Sequence, residues 1–165
     1  MLFAQYVHRD QVRKYTGEPY FKHLAEVAAI VQSVGLEEKY ISMAWLHDSM
    51  EDQEVPFDLL EELFSFEIAD GVSWLTDKEE GNRAERVAAS IKRLAKAPRN
   101  IQTIKLADLI SNTGSIVTHD PNFAVTYLKE KRALLDVMNT GNPILYRLAV
   151  QSIADGWKKL GISPQ

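Results

Sequence analysis

One histidine and three carboxylates crowd into the short stretch "AWLHDSMED", Ala44 to Asp52. At ~100° per residue on a continuous helix, His47, Glu51, Asp48 and Asp52 fall on one side and form a single polar stripe. Left alone, acids this close would repel one another or shift their protonation, and a divalent cation would relieve that. Two further segments hold residues of the same kind. "GEPYFKH", 17–23, places His23 early in an otherwise apolar helix, and "IKLADLISNT", 104–113, interrupts an apolar helix with Lys105, Asp108 and Asn112. Asp108 and Asn112 are four apart and share a face, with Lys105 one turn earlier on the adjoining side. An Asp108 buried among Leu106, Ala107, Leu109 and Ile110 needs a partner, whether a metal, a lysine or a hydrogen-bonding network.

Each segment also has a plainer reading. "EDQE" fits a solvated helix end, His23 a satisfied core or capping histidine, and Asp108 with Lys105 a structural ion pair. His8 suits packing or the surface, His119 in "THDPN" a helix-entry turn, and Trp45, Trp74 and Trp157 the core or an interface. Tyr127 and Arg132 lie on an amphipathic helix whose charges read as solvated, with a place at the rim of a pocket left open.

The elements that must position these residues read as helices throughout. Apolar residues recur at helical spacing nearly everywhere, and alternating strand-like runs are absent. The pattern predicts helices at about 2–14, 21–34, 37–52, 57–64, 66–76, 82–97, 99–114, 121–139 and 143–160. Thr16-Gly17-Glu18-Pro19 reads as a turn, Gly35 as a helix-ending glycine, and Asp120 and Asn142 as N-caps ahead of Pro121 and Pro143. The first helix is already under way at Leu2 with no N-cap residue before it, as though the element began ahead of the chain. With short connections and no repeat or linker, the expectation is one all-α domain over 1–165, a compact helical bundle.

Composition narrows the chemistry. The 165 residues include no cysteine, which excludes zinc–thiolate sites, disulfides and thiol nucleophiles, so any metal is held by nitrogen and oxygen. A balance of 19 Lys+Arg against 23 Asp+Glu argues against nucleic acid as the main partner. No apolar run approaches the ~20 residues of a membrane span, and the first residues do not read as a signal peptide. A soluble, cytoplasmic protein with no membrane partner is expected, with oligomeric state left open.

A histidine, then a His-Asp pair, then an aspartate on separate helices resembles the HD phosphohydrolases. More narrowly, "GEPYFKH", "WLHDSMED" (45–52) and "KLADLISN" (105–112), in that order, are similar to motifs of the RelA/SpoT-type hydrolase domains and the stand-alone small alarmone hydrolases. The resemblance runs from about His8 to the helix near Leu135, and "TDK", 76–78, also matches. It implies an HD-domain helical bundle in which His23, His47, Asp48 and Asp108 ligate one Mn2+. Glu51 and Asp52 would orient and deprotonate the attacking water. Asn112 would contact the substrate near its ribose and 3′ phosphates, and Lys78, with Lys14 and Arg13, would supply positive charge to a pyrophosphate. The substrate implied is a small-molecule nucleotide, guanosine tetra- or pentaphosphate, cleaved to GDP or GTP and pyrophosphate, with no synthetase half in a chain of this length.

The chain departs from the family at Lys14-Tyr15-Thr16, where Arg-Lys-Ser is usual and the arginine lies against the guanine; Tyr15 offers a ring instead. Leu24 replaces a proline, and the usual arginine after Asn112 is missing. Two alternatives therefore stand beside the main reading. One is an HD phosphohydrolase of another nucleotide, such as NADPH, a deoxynucleotide or a nucleoside monophosphate. The other is a nucleotide-binding module without catalysis.

Overall fold

A computed structural model describes residues 1–163. It contains α1 (Leu2–Val7), α2 (Phe21–Ser33), α3 (Glu38–Leu46), α4 (Ser49–Asp52), α5 (Phe57–Leu63), α6 (Phe66–Leu75), α7 (Arg83–Leu94), α8 (Arg99–His119), α9 (Pro121–Leu135) and α10 (Pro143–Leu160). No strand occurs among the described residues beyond an isolated bridge between Val12 and Pro19. None of their helices is long and apolar enough to cross a membrane.

The core is organised around α8. Its buried residues, from Ile101 through Ile104, Leu106 to Leu109 and on to Val117, run right round its circumference, the pattern of a helix enclosed on all sides. Helices α2, α3, α6, α9 and α10 all pack on it. Close approach is allowed where side chains are absent: a Cβ on Gly156 of α10 would lie 3.0 Å from Leu128 of α9 and 3.2 Å from Val117 of α8. Because α8 is the hub, Asp108 near its middle is held against both α2 and α3.

Several helix ends follow the expected chemistry. Asp120 accepts from the Phe123 amide, and Asn142 accepts from those of Ile144 and Leu145. Asn82 and Glu85 add a reciprocal capping box at α7. Gly17 (φ 70°) and Gly35 (φ 74°) both take left-handed conformations, the first in the turn before Pro19 and the second just past α2.

Three expectations fail, the first two for identifiable reasons. The first helix ends at Val7 rather than near residue 14, because the backbone from Gln11 onward pairs across the Gly17 turn instead. Arg13 N donates to Glu18 O (2.8 Å) and Tyr20 N to Gln11 O (2.9 Å). The helix expected over 37–52 breaks at His47–Asp48. There the Nδ1 of His47 donates to Ala44 O (2.8 Å) and Ser49 Oγ to Leu46 O (2.6 Å), so side chains take the carbonyls of the last turn. Finally, α8 continues past residue 114 to His119.

If α8 is the hub, Leu106→Ala should cost about 3 kcal/mol, the usual range for a fully buried leucine. Asn142→Ala should cost only about 1 kcal/mol through loss of a cap. Denaturant unfolding of the two variants measures both, and an equal or reversed order would contradict this packing.

Candidate metal centre and its carboxylates

His23 stands in the first turn of α2, His47 and Asp48 occupy the break between α3 and α4, and Asp108 projects from α8. Both imidazoles are buried and oriented from behind. His47 Nδ1 donates to Ala44 O. On the other ring, Ser111 Oγ donates to Glu26 Oε2 (2.7 Å) and, having one hydrogen, accepts from His23 Nδ1 (2.9 Å). Each Nδ1 therefore carries a proton, and each Nε2 faces inward. Neither Nε2 has a hydrogen-bond partner.

Those two atoms converge on the acids. His47 Nε2 lies 2.9 Å from Asp48 Oδ2 and 3.7 Å from Asp108 Oδ1; His23 Nε2 lies 3.6 Å and 3.3 Å from the same two oxygens. Donor atoms ~2.1 Å from a shared first-row cation, subtending ~90–120°, are ~3.0–3.6 Å apart, so the spacing suits such an ion. His23, His47 and Asp108 form the tightest group, with one ligand atom each within 4.8 Å of the others. Asp48 lies outside that trio, and its Oδ2 also accepts from Tyr20 Oη (2.6 Å).

The electrostatics ask for positive charge at this point. Burial opposes a protonated His47, yet Asp48 and Asp108 outweigh it and push the imidazole up to about 10. His23 is raised against burial by the same two acids. Burial also opposes ionisation of the carboxyls, and their charged neighbours override it: His47 and His23 lower Asp48, while Lys105 and the two histidines lower Asp108. A proton on the imidazoles meets this demand in part, and a divalent cation meets it for all four groups at once. The donor set fits a divalent metal.

Around the centre, Lys105 Nζ lies 2.9 Å from Asp108 Oδ2, and Asn112 Nδ2 donates to Asp108 Oδ1 (2.6 Å). Glu51 follows within one turn, in α4. Its side chain reaches solvent through a cleft but sits recessed enough that loss of hydration pushes its carboxyl up to about 7. The Asp77 amide donates to Glu51 Oε2 (2.9 Å). Asp52 is exposed and accepts from Gln11 Nε2 (2.8 Å), whose own Oε1 is held by Gln53 and His8. With the helix broken at 47–48, the stripe expected along one continuous helix becomes two groups on either side of a bend.

The expected substrate contacts are more scattered. Arg13 lines a second cleft that reaches His23, while Lys78 is exposed and donates to Ser73 Oγ (2.9 Å). Lys14 lies over the ring of Tyr15, which is near-parallel to His119 at 6.1 Å and donates its hydroxyl proton to Asp120 (2.9 Å). Sequence reasoning missed Tyr20, although it belongs to "GEPY", and also Gln11, Ser111 and Glu26. Only their partners, distant along the chain, reveal their roles.

A family profile described as "HD domain" matches residues 1–132. Guanosine-3′,5′-bis(diphosphate) 3′-pyrophosphohydrolase of Aquifex aeolicus is 31% identical over 92% of this chain and 21% of its own length. The Drosophila melanogaster enzyme of that name, MESH1, is 32% identical over 72% of this chain and 68% of its own length. The chain spans about a fifth of the length of the first curated relatives it matches. A solved structure described as a metazoan ortholog of SpoT that hydrolyzes ppGpp superposes with a TM-score of 0.84 at 25% identity, covering 98% of this chain and 93% of the other. A second, from Listeria monocytogenes, shares the fold with a TM-score of 0.75 at 24% identity, over 88% of this chain and 99% of the other. With a profile covering most of its length, and with two inward-facing histidines and the Asp48–Asp108 pair in one buried cluster, the chain belongs to the HD-domain family.

Proposed function

We propose that the chain is a metal-dependent phosphohydrolase that removes the 3′ pyrophosphate of guanosine 3′,5′-bis(diphosphate) and its pentaphosphate counterpart, with Mn2+ as the native ion. The observation that carries the reading is the pair of buried, unpartnered Nε2 atoms converging on Asp48 and Asp108. The activity of the fly relative and of the metazoan structural neighbour supports the substrate.

His23, His47, Asp48 and Asp108 would hold the ion, a nitrogen and oxygen set without sulfur that suits Mn2+. When bound, such an ion acidifies a water and offsets charge on phosphoryl oxygens. Glu51 would accept a proton from the attacking water: its Oε2 is fixed by the Asp77 amide, which leaves Oε1 for that role. Asp52, steadied by Gln11, orients the water. Asn112, tied to Asp108, faces the substrate from α8, while Arg13, Lys14 and Lys78 contribute positive charge farther out.

One observation favours a second reading in which the base differs. Lys14 stands where the family places a stacking arginine, and Tyr15 is already engaged with His119 and Asp120. Neither offers a planar guanidinium to a purine. Turnover of NADPH or deoxynucleoside triphosphates with guanosine 3′,5′-bis(diphosphate) left intact would establish that reading. Binding of the guanosine nucleotide without hydrolysis under any divalent metal would instead leave a binding module.

The two groups separated by the bend should fail differently. His23→Ala, Asp48→Ala and Asp108→Ala are expected to lose bound Mn2+ in elemental analysis, together with pyrophosphate release. Glu51→Gln should retain the metal and lose roughly 10²-fold or more in kcat. Retention of metal by Asp108→Ala would remove that residue from the ligand set.

Glu51 also sets a pH dependence. Only its ionised form accepts a proton, and its carboxyl is pushed up to about 7. The value of kcat/KM should therefore rise with pH through about 7 and fall below it, and the residual activity of Glu51→Gln should lack that limb. A wild-type profile that stays flat across this range would exclude Glu51 as the base.

A further inference from the structure

The cleft beside Glu51, about 330 Å³ in volume, is bordered by α7 and α9. Its carboxylates outnumber its cations at first sight, yet most of the acids are already paired. Arg83 makes a two-pronged bond to Glu130, with Nε at 2.8 Å and Nη2 at 2.6 Å. Arg93, reaching in from behind, pairs with both Asp77 and Glu79. Once these partners are set aside, the charges left facing the cleft are Glu51, Arg86 and Lys131. Neither cation has a carboxylate within ion-pair distance among the described residues.

Lys131 is the more telling of the two. Its ammonium lies over the Tyr127 ring at 5.4 Å. Burial, and after it repulsion from Lys105, hold the ammonium below its usual range. Lys131 thus lines the recess next to the proposed water-activating carboxylate, and Lys105, which acts on it electrostatically, is already paired with Asp108. A cation desolvated in this way without a counterion gains most from an arriving anion.

We propose that Lys131 and Arg86 form an anion subsite that receives a phosphate of the nucleotide other than the one attacked. This rests on the phosphohydrolase reading above, and it gives that reading a binding determinant on α7 and α9. Lys131 supplies a point charge at the inner end of the cleft, and Arg86 supplies a guanidinium at its more exposed rim. The number of phosphates on the substrate is then sensed beside the metal centre.

Calorimetric titration of the protein with inorganic pyrophosphate, with and without Mn2+, tests the subsite apart from turnover. Wild type should bind pyrophosphate without added metal. Lys131→Gln and Arg86→Gln should each weaken that binding about tenfold, as loss of one charge-assisted contact does. Lys131→Arg should restore most of the lost affinity, a rescue that a packing role would not give. In turnover of guanosine 3′,5′-bis(diphosphate), KM should rise more than kcat falls in both glutamine variants. Absence of metal-independent pyrophosphate binding, or unchanged affinity in both glutamine variants, overturns the subsite. If pyrophosphate binding behaves as expected while the guanosine nucleotide is left intact, the subsite stands and only the substrate assignment falls.

Discussion

Two imidazoles, each with its Nε2 within 3.7 Å of two carboxylates in a buried space, are stable together with those acids only around positive charge. Much of the surrounding architecture serves that constraint. α8 carries Asp108 to the point where α2 and α3 both reach it, and burial around its whole circumference fixes it there. Behind each ring, one backbone carbonyl or one serine fixes the Nδ1 proton and thereby turns the Nε2 lone pair inward. Tyr20 and Asn112 donate to the same carboxylate oxygens that face the histidines, and Lys105 pairs with the other oxygen of Asp108, which limits how far either acid can swing.

The break between α3 and α4 is the second consequence. A continuous helix would have carried His47, Asp48, Glu51 and Asp52 as one acidic stripe with a shared environment. The bend instead leaves His47 buried, Glu51 open to a cleft and Asp52 exposed. Environment then assigns different protonation behaviour to chemically similar groups. Asp48 is held ionised by its histidine neighbours, whereas Glu51 is raised by loss of hydration. A carboxylate that stays charged suits ligation, and one that titrates near neutrality suits proton transfer.

Charge pairing shapes the cleft in the same manner. Arg83 with Glu130, and Arg93 with Asp77 and Glu79, cancel charge locally and brace α7 against α9 and against the segment after α6. That segment supplies the amide that holds Glu51, so the same ion pairs steady the proposed base.

The sequence by itself determined the helical class, the caps at Asp120 and Asn142, and the clustering of polar residues in three separate segments. Those features are local: apolar periodicity, turn glycines and capping side chains act over a few residues. The order of the three motifs also marked which histidines and acids to follow. What tertiary structure alone decided was the break at His47–Asp48, the early end of α1, and the supporting contacts from Ser111, Gln11 and Tyr20. Ser111 meets His23, Gln11 meets Asp52 and Tyr20 meets Asp48 across long stretches of chain, and serine, glutamine and tyrosine carry no periodic signal of their own. Lys131 makes the same point, because on its own helix it reads as one more solvated charge. Only the pairing of its neighbours with one another leaves it facing the cleft without a counterion.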